Sequence, residues 1–193
     1  LKKLPIFEKD QDLNHIITTL AKQQYFAIIV GGAIRDTLLN LPISDIDLEV
    51  FGCPSLDALE NIIKPLGTVA QVGAAFGVLR LTTHKRTYDI ALPRQEKTTG
   101  NGHQEFSVTI LPKIPFKEAA QRRDFTINSM GYSLLEHKLL DPFEGQKDLK
   151  NGILQHIGPA FSEDPLRVFR AMQFVARFNL TVSNKTLILC QQI

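Results

Sequence analysis

The stretch 26–51, FAIIVGGAIRDTLLNLPISDIDLEVF, restricts the possible folds of this chain more than any other. The short apolar run 25–30 reads as a buried strand. It runs into Gly31-Gly32 and then into a helix-compatible segment, 33–39. After the turn at Asn40-Leu41-Pro42 comes Asp45-Ile46-Asp47, followed by the apolar residues of a second strand. Side chains at i and i+2 of a strand share a face, so Asp45 and Asp47 present two carboxylates side by side. Like charges held that close repel unless a cation lies between them. Oxygen ligands of this kind suit Mg²⁺. The glycine pair offers backbone amides at a helix start with no side chain in the way, and Arg35 lies one turn further on, within reach of the same anion. A Gly-Gly pair alone is usually a tight turn, and an Asp-x-Asp alone is usually solvated. Their order and spacing here give the combination its meaning.

Three further clusters point to the same chemistry. Asp89, in TYDIALPR, lies on an expected strand with Tyr88 and Ile90 turned outward and Asp89 inward, as a third carboxylate of the site. Arg122-Arg123-Asp124-Phe125-Thr126-Ile127-Asn128 is dense in groups that contact nucleotides. Arginine forks onto phosphate oxygens, and an aspartate accepts from a ribose hydroxyl. The alternative is that Asp124 caps a following helix. Glu163-Asp164-Pro165-Leu166-Arg167 opens a helix, with Asp164 as N-cap and Pro165 in the first turn. Arg167, Arg170, Gln173 and Arg177 then form a polar stripe, while Leu166, Val168, Phe169, Met172, Phe174 and Val175 predict burial on two sides.

The remaining organisation is coarser. Helices are expected over 10–24, with Leu13, Ile16, Ile17 and Leu20 on one face, and over 55–64, with Ser55 as N-cap. Strands are expected at 68–72, 77–82 and 87–92. A polar, glycine-containing mobile loop follows at 95–105, then helices at 114–122 and 126–130 and a hairpin formed by 131–135 and 138–140. The turn Asp141-Pro142-Phe143-Glu144-Gly145 precedes a short helix and a strand at 153–157. From Pro165 the pattern is purely helical.

Composition excludes little. The chain has 193 residues, 44% hydrophobic and 22% charged, with a net charge of +2 that does not by itself announce nucleic acid. Cys53 and Cys190 show no metal-like spacing and are expected to be reduced in a cytoplasmic protein. No run approaches the roughly 18 apolar residues of a membrane span. The start has no signal-peptide core. A first residue Leu1 and a last residue Ile193 inside a helical pattern suggest a fragment of a longer protein.

In this order, the motifs Gly-Gly-x-x-Arg-Asp, Asp-x-Asp, Arg-Arg-Asp-Phe-Thr-Ile-Asn, Asp-Pro-Phe-x-Gly and Glu-Asp-x-x-Arg resemble those of the class II nucleotidyltransferases. That group holds the bacterial CCA-adding, CC-adding and A-adding enzymes and the bacterial poly(A) polymerases. The resemblance covers roughly 25–180. It implies an α+β fold: a polymerase-β-like palm with a mixed sheet of about five strands and helices on one side, followed by an all-helical neck. The head domain would span 1–160, and 161–193 would begin the neck, with body and tail absent.

The resemblance also assigns roles. Asp45 and Asp47 would bind Mg²⁺, with Asp89 completing the catalytic set. Gly31, Gly32, Arg35, Arg123, Asp124, Asn128 and Arg170 would hold the nucleotide. Asp164 and Arg167 would read the edges of CTP and ATP. The implied reaction is template-independent addition of CMP and AMP to a tRNA 3′ end. CC-only, A-only or poly(A) addition, and a non-catalytic nucleotide- or RNA-binding module, are the alternatives. Poly(A) polymerases carry a basic segment where this chain reads Gly73-Ala74-Ala75-Phe76-Gly77-Val78-Leu79-Arg80-Leu81, which favours the tRNA enzymes. Gln173 stands where the family usually has another arginine. The histidines His84, His103 and His137 lie outside the motifs.

Overall fold

A computed structural model describes residues 4–72, 77–98 and 106–193. Helices α1 (Pro5–Glu8) and α2 (Gln11–Lys22) lead into β1 (Phe26–Val30), α3 (Gly32–Leu38), β2 (Ile46–Phe51) and α4 (Leu56–Ile63). Strands β3 (Thr68–Val72), β4 (Val78–Thr82), β5 (Thr87–Ala91), β6 (Arg94–Thr98) and β7 (Phe106–Ile110) follow. Then come α5 (Phe116–Ala120), β8 (Gly131–Ser133), β9 (Lys138–Leu140), α6 (Gly145–Lys150), β10 (Ile153–Leu154), α7 (Leu166–Phe178), β11 (Thr181–Val182) and α8 (Asn184–Gln192).

Local chemistry explains most of these boundaries. Asp10 caps α2 by accepting from the Leu13 amide at 3.0 Å, and Ser55 caps α4 through the Ala58 amide at 3.2 Å. Leu13, Ile16, Ile17 and Leu20 recur at helical spacing and are all buried.

The main sheet is mixed, with seven strands in the order β3-β4-β5-β2-β1-β8-β9. Five were expected. The short hairpin β8–β9 joins the edge beside β1 and extends the sheet. β2 and β5 run parallel, and every other pairing in this sheet is antiparallel. One face carries Ile46, Leu48, Val50, Leu79, Leu81, Tyr88 and Ile90, all buried. The N-terminal helices close that face, and the Tyr88 hydroxyl donates to Asp10 on the helix side at 2.9 Å. Fully burying one such aliphatic side chain contributes about 1.5–3 kcal/mol. The core therefore commits these strands to one register and leaves their other face to polar groups.

Several expectations need correction. Asp89 alternates with Tyr88 and Ile90 as read, but the faces are reversed: Tyr88 and Ile90 point into the core. The 95–105 loop is not loop throughout. Arg94–Thr98 pairs with Phe106–Ile110 as an antiparallel ribbon, and the rest of that loop, with His103, lies outside the described residues. So does the 73–76 part of the segment that separated tRNA enzymes from poly(A) polymerases.

The 126–130 helix is a 3-10 turn over Thr126–Asn128, and the 153–157 strand is two residues long. The segment after Pro165 is not purely helical, because β11 pairs in parallel with β10. Nor is α7 buried on two sides. Ala171 and Phe174 are buried, whereas Leu166, Phe169 and Met172 are each about two-thirds exposed. The hydrophobic core continues unbroken from the sheet through Phe161, Ala171 and Phe174 to Leu180.

Candidate active site

The register of the parallel pair places Asp47 directly beside Asp89 on the polar face of the sheet. Asp45 lies just before β2, two residues from Asp47, and is exposed. Burial pushes the Asp47 carboxyl above the ordinary carboxylate range. Asp89 and Asp45 push the same way, and Arg123 is the main opposing charge.

Beside Asp47 opens a cleft of about 520 Å³. Every position expected to bind nucleotide lines it: Gly31, Gly32, Arg35, Arg123, Asp124, Asn128, Asp164, Arg167 and Arg170. Arg122, Gln173, Phe174 and Arg177 complete the wall. Six arginines face three aspartates there, so the cleft is built for a polyanion.

Gly31 sits at φ 76°, where a side chain is strained, and an added Cβ would stand 2.9 Å from Arg123 Nη1. The glycine thus lets the half-buried Arg123 reach the strand end. Burial lowers the pKa of the Arg123 guanidinium, and adjacent Arg122 lowers it further. Glu49 is first among the carboxylates that oppose this.

Arg35 is 5% exposed. Its Nη1 donates to Asn128 Oδ1 at 2.6 Å and its Nε to Asp36 Oδ1 at 2.8 Å. Its guanidinium lies over the rings of Phe174 and Phe178 on α7.

Asp124 is a hub. Oδ1 accepts from the Phe125 amide and from Asn128 Nδ2, and Oδ2 accepts from Arg170 Nε at 2.7 Å. It caps no long helix, and any ribose contact has to share these oxygens. Asp164 Oδ1 accepts from the Leu166 amide at 3.0 Å, which gives it a cap-like role at the start of α7. Arg167 donates to the Ala160 carbonyl and, at 2.8 Å, to the Arg122 carbonyl.

The Asp-Pro-Phe-x-Gly turn braces this wall from behind. The Asp141 carboxylate accepts from the amides of Gly145 and Gln146 at the start of α6. A Cβ on Gly145 would run into the Thr126 carbonyl, so glycine permits α6 to lie on the 3-10 turn. Thr126 Oγ1 donates to Asp148 on α6 at 2.7 Å.

The three carboxylates do not converge as expected. Among the described residues no three His, Cys, Asp or Glu side chains are gathered to hold a metal ion. Asp45 accepts from Ser44 Oγ. Asp89 is engaged by Arg80, whose Nε and Nη2 each donate to one carboxylate oxygen at 2.8 Å. The donor set nonetheless fits a divalent cation. Mg²⁺ is commonly held by one or two carboxylates plus substrate phosphates, and the raised Asp47 carboxyl is the electrostatic cost that a cation relieves.

Several site residues escaped the sequence reading. Arg80 could have been found from its cross-strand partner, since it faces Asp89 in the β4–β5 register. Arg177 and Gln173 were visible as part of the stripe but were not assigned. Glu49 gave no signal beyond its alternation with Asp47.

A mixed sheet thus aligns Asp47 and Asp89 on its central strands beside an arginine-lined cleft. The sequence model described as poly A polymerase head domain matches residues 27–155, and the chain belongs to that family. It is 42% identical over 164 residues to a "Multifunctional CCA protein" of Nitrosococcus oceani, an alignment covering 84% of this chain and 38% of that protein. The fold matches the Bacillus stearothermophilus CCA-adding enzyme in complex with CTP at TM-score 0.78 and 28% identity, over 93% of this chain and 42% of that one. It matches a tRNA nucleotidyltransferase complexed with a primer tRNA and an incoming ATP analogue at TM-score 0.74 and 31% identity, over 92% and 49%. The chain thus spans about two-fifths of the length of the curated relative. Among the described residues no helix is long and apolar enough to cross a membrane.

Proposed function

We propose that this chain carries the catalytic part of a Mg²⁺-dependent enzyme that transfers CMP and AMP from CTP and ATP to the 3′ end of tRNA, releasing pyrophosphate. The observation that carries this reading is the placement of Asp47 beside Asp89 at the mouth of a cleft walled by six arginines. A triphosphate complements that wall, and its reacting phosphorus would lie toward the carboxylates. Arg35, Arg123 and Arg170 would orient the phosphates, holding the α-phosphorus in line for the attacking 3′ oxygen. Asp164 and Arg167 would select bases with an amine at C4 of cytosine or C6 of adenine, where uracil and guanine carry a carbonyl.

Asp45 and Asp47, with Asp89 once Arg80 yields it, would hold Mg²⁺. Bound there, the metal supplies neutralisation of the triphosphate and a more acidic attacking hydroxyl. The naming of the relatives favours CCA addition over poly(A) addition, and a tRNA substrate supports a cytoplasmic location. The segment 161–193 would begin a second, helical domain.

The test is Mg²⁺-dependent pyrophosphate release, using the full-length protein, from CTP with a tRNA lacking its 3′ CCA and from ATP with a tRNA that ends in CC. Release with both nucleotides is the expected result. Release with ATP alone points to A addition and with CTP alone to CC addition. Nucleotide binding without release with either would leave a binding module.

A further inference from the structure

Glu49 lies on β2 two residues beyond Asp47, so it shares the polar face of the strand. Its neighbours across the sheet are Ile28 on β1 and Ala91 on β5. The residue is 1% exposed. A carboxylate this far from water is costly unless it is paired. One oxygen, Oε1, accepts from Arg122 Nη2 at 2.9 Å, while Oε2 has no hydrogen-bond partner among the described residues. Nothing in the proposed chemistry uses this group.

Its surroundings indicate what it does. Arg122 lines the nucleotide cleft and also a second cavity of about 230 Å³ that reaches Asp89 and includes Glu49. The Arg122 side chain therefore stands where the two spaces meet. The Arg122 main chain faces the other way, and its carbonyl accepts from Arg167 Nη2 at 2.8 Å. A continuous path results: the Glu49 carboxylate, the Arg122 side chain, the Arg122 carbonyl, the Arg167 guanidinium. It joins the strand that carries Asp47 to the helix expected to read the base. Arg122 and Arg123 are adjacent cations, and Glu49 is a buried anion of the sheet that bonds the first and attracts the second.

We propose that Glu49 is a positioning residue for nucleotide selection, acting through Arg122 to fix Arg167 relative to Asp47. This inference rests on the base-reading role given above to Asp164 and Arg167. Without the Glu49 oxygen, Arg122 loses the hydrogen bond that fixes its guanidinium against β2. The Arg122 side chain shifts, its carbonyl follows, and Arg167 loses the anchor that holds it in register with the cleft.

The experiment is a titration of CTP and of UTP, each with Mg²⁺, into the wild-type protein and into Glu49→Gln and Glu49→Leu variants, with circular dichroism and melting as fold controls. Glu49→Gln retains an oxygen for Arg122 Nη2 and should keep the CTP-to-UTP affinity ratio within about threefold of wild type. Glu49→Leu should lower CTP affinity far more than UTP affinity, so that the ratio falls by about tenfold, the scale of a small misplacement of a recognition group. A purely structural role would lower the melting temperature and leave the ratio of the folded protein unchanged, and that result overturns the proposal.

Should Glu49→Leu fail to fold, Arg122→Met removes the same link from the cleft side. An unaltered ratio there overturns the proposal equally, and a fall of about tenfold supports it. A wild-type protein that binds CTP and UTP alike would overturn the base-reading role itself and this inference with it. Wild-type selectivity with unchanged variants overturns this inference alone.

Discussion

The side of the cleft built from β2, α3 and the segment 122–128 is buried and internally bonded, whereas the side built from α7 stands half in solvent. Arg35, Asp124 and Asn128 are each less than a tenth exposed and hydrogen-bond to one another or to immediate neighbours. Across the cleft the side chains of Asp164, Arg170 and Arg177 are 37%, 48% and 57% exposed. Groups on the first side are in place before a ligand arrives, so they can hold a triphosphate without reorganising. Those on the second must still be ordered, and each long side chain that is fixed loses up to about 2 kcal/mol of rotamer entropy. On the proposed roles, Arg35 and Arg123 would place phosphates from the rigid side and Asp164 and Arg170 would act from the adaptable one, where Arg167, 15% exposed and bonded to two carbonyls, is already held.

Substitutions can break or sharpen that contrast. The largest effect should come from Asp45→Ala. The side chain is exposed and bonds only Ser44 among the contacts described, so the melting curve should hardly move, while nucleotide addition should fall by about 10³-fold or more. Near-wild-type turnover in that variant would remove the metal-dependent mechanism.

Asp124→Ala should come next. It strips bonds from Phe125, Asn128 and Arg170 at once and should lower unfolding stability by about 2–3 kcal/mol in urea titrations. Arg170→Ala, on the solvent side of the same ion pair, should lower it by less than about 1 kcal/mol. Equal losses from the two would erase the distinction between the walls.

Asp164→Ala should leave stability nearly unchanged and relax discrimination against UTP and GTP by roughly 10-fold or more, the scale of one hydrogen bond to a charged group. Single-nucleotide incorporation with all four triphosphates reads it. Undiminished rejection would leave Asp164 only its cap-like bond to Leu166.

The smallest effect concerns Asp47 without metal. Its raised pKa means that the folded protein binds the proton more tightly than the unfolded chain does. The carboxyl therefore favours folding most at low pH, and stability falls as pH rises from the unfolded value near 3.9 through the raised one. Asp47→Asn should flatten that slope and raise the neutral-pH melting temperature of metal-free protein by about a degree or two. A lower melting temperature would mean that the Arg123 attraction outweighs burial.

What could be read from the sequence was what depends on local period. Alternation put Asp47 on the polar face of β2, and helical spacing put Arg167, Arg170, Gln173 and Arg177 on one stripe. Alternation fixes parity but not which parity is covered, which is why the faces of Tyr88 and Asp89 were exchanged. That choice is made by α2, whose cap Asp10 receives the Tyr88 hydroxyl from 78 residues away. The exposure of Leu166, Phe169 and Met172 was likewise invisible, because apolar residues on several faces of a helix do not say how many neighbours are present. The Arg80–Asp89 pair and the Glu49–Arg122 pair depend on strand register and on the return of 122–128 to the sheet. A one-dimensional pattern specifies neither.

The parallel pairing of β2 with β5 has a consequence for the order in which the molecule folds. Asp47 and Asp89 are 89 − 47 = 42 residues apart, and α4, β3 and β4 must be traversed between them. β1 and β2 lie close in the chain and can pair early, whereas β5 has to close a long crossover before it can dock, which is slow. Until then β2 offers an open edge bearing Ile46, Leu48 and Val50, a template for pairing with another chain. A folding intermediate of this protein would thus be prone to aggregate before its acidic site exists, and the arrival of β5 would complete the site and cover that edge in the same event.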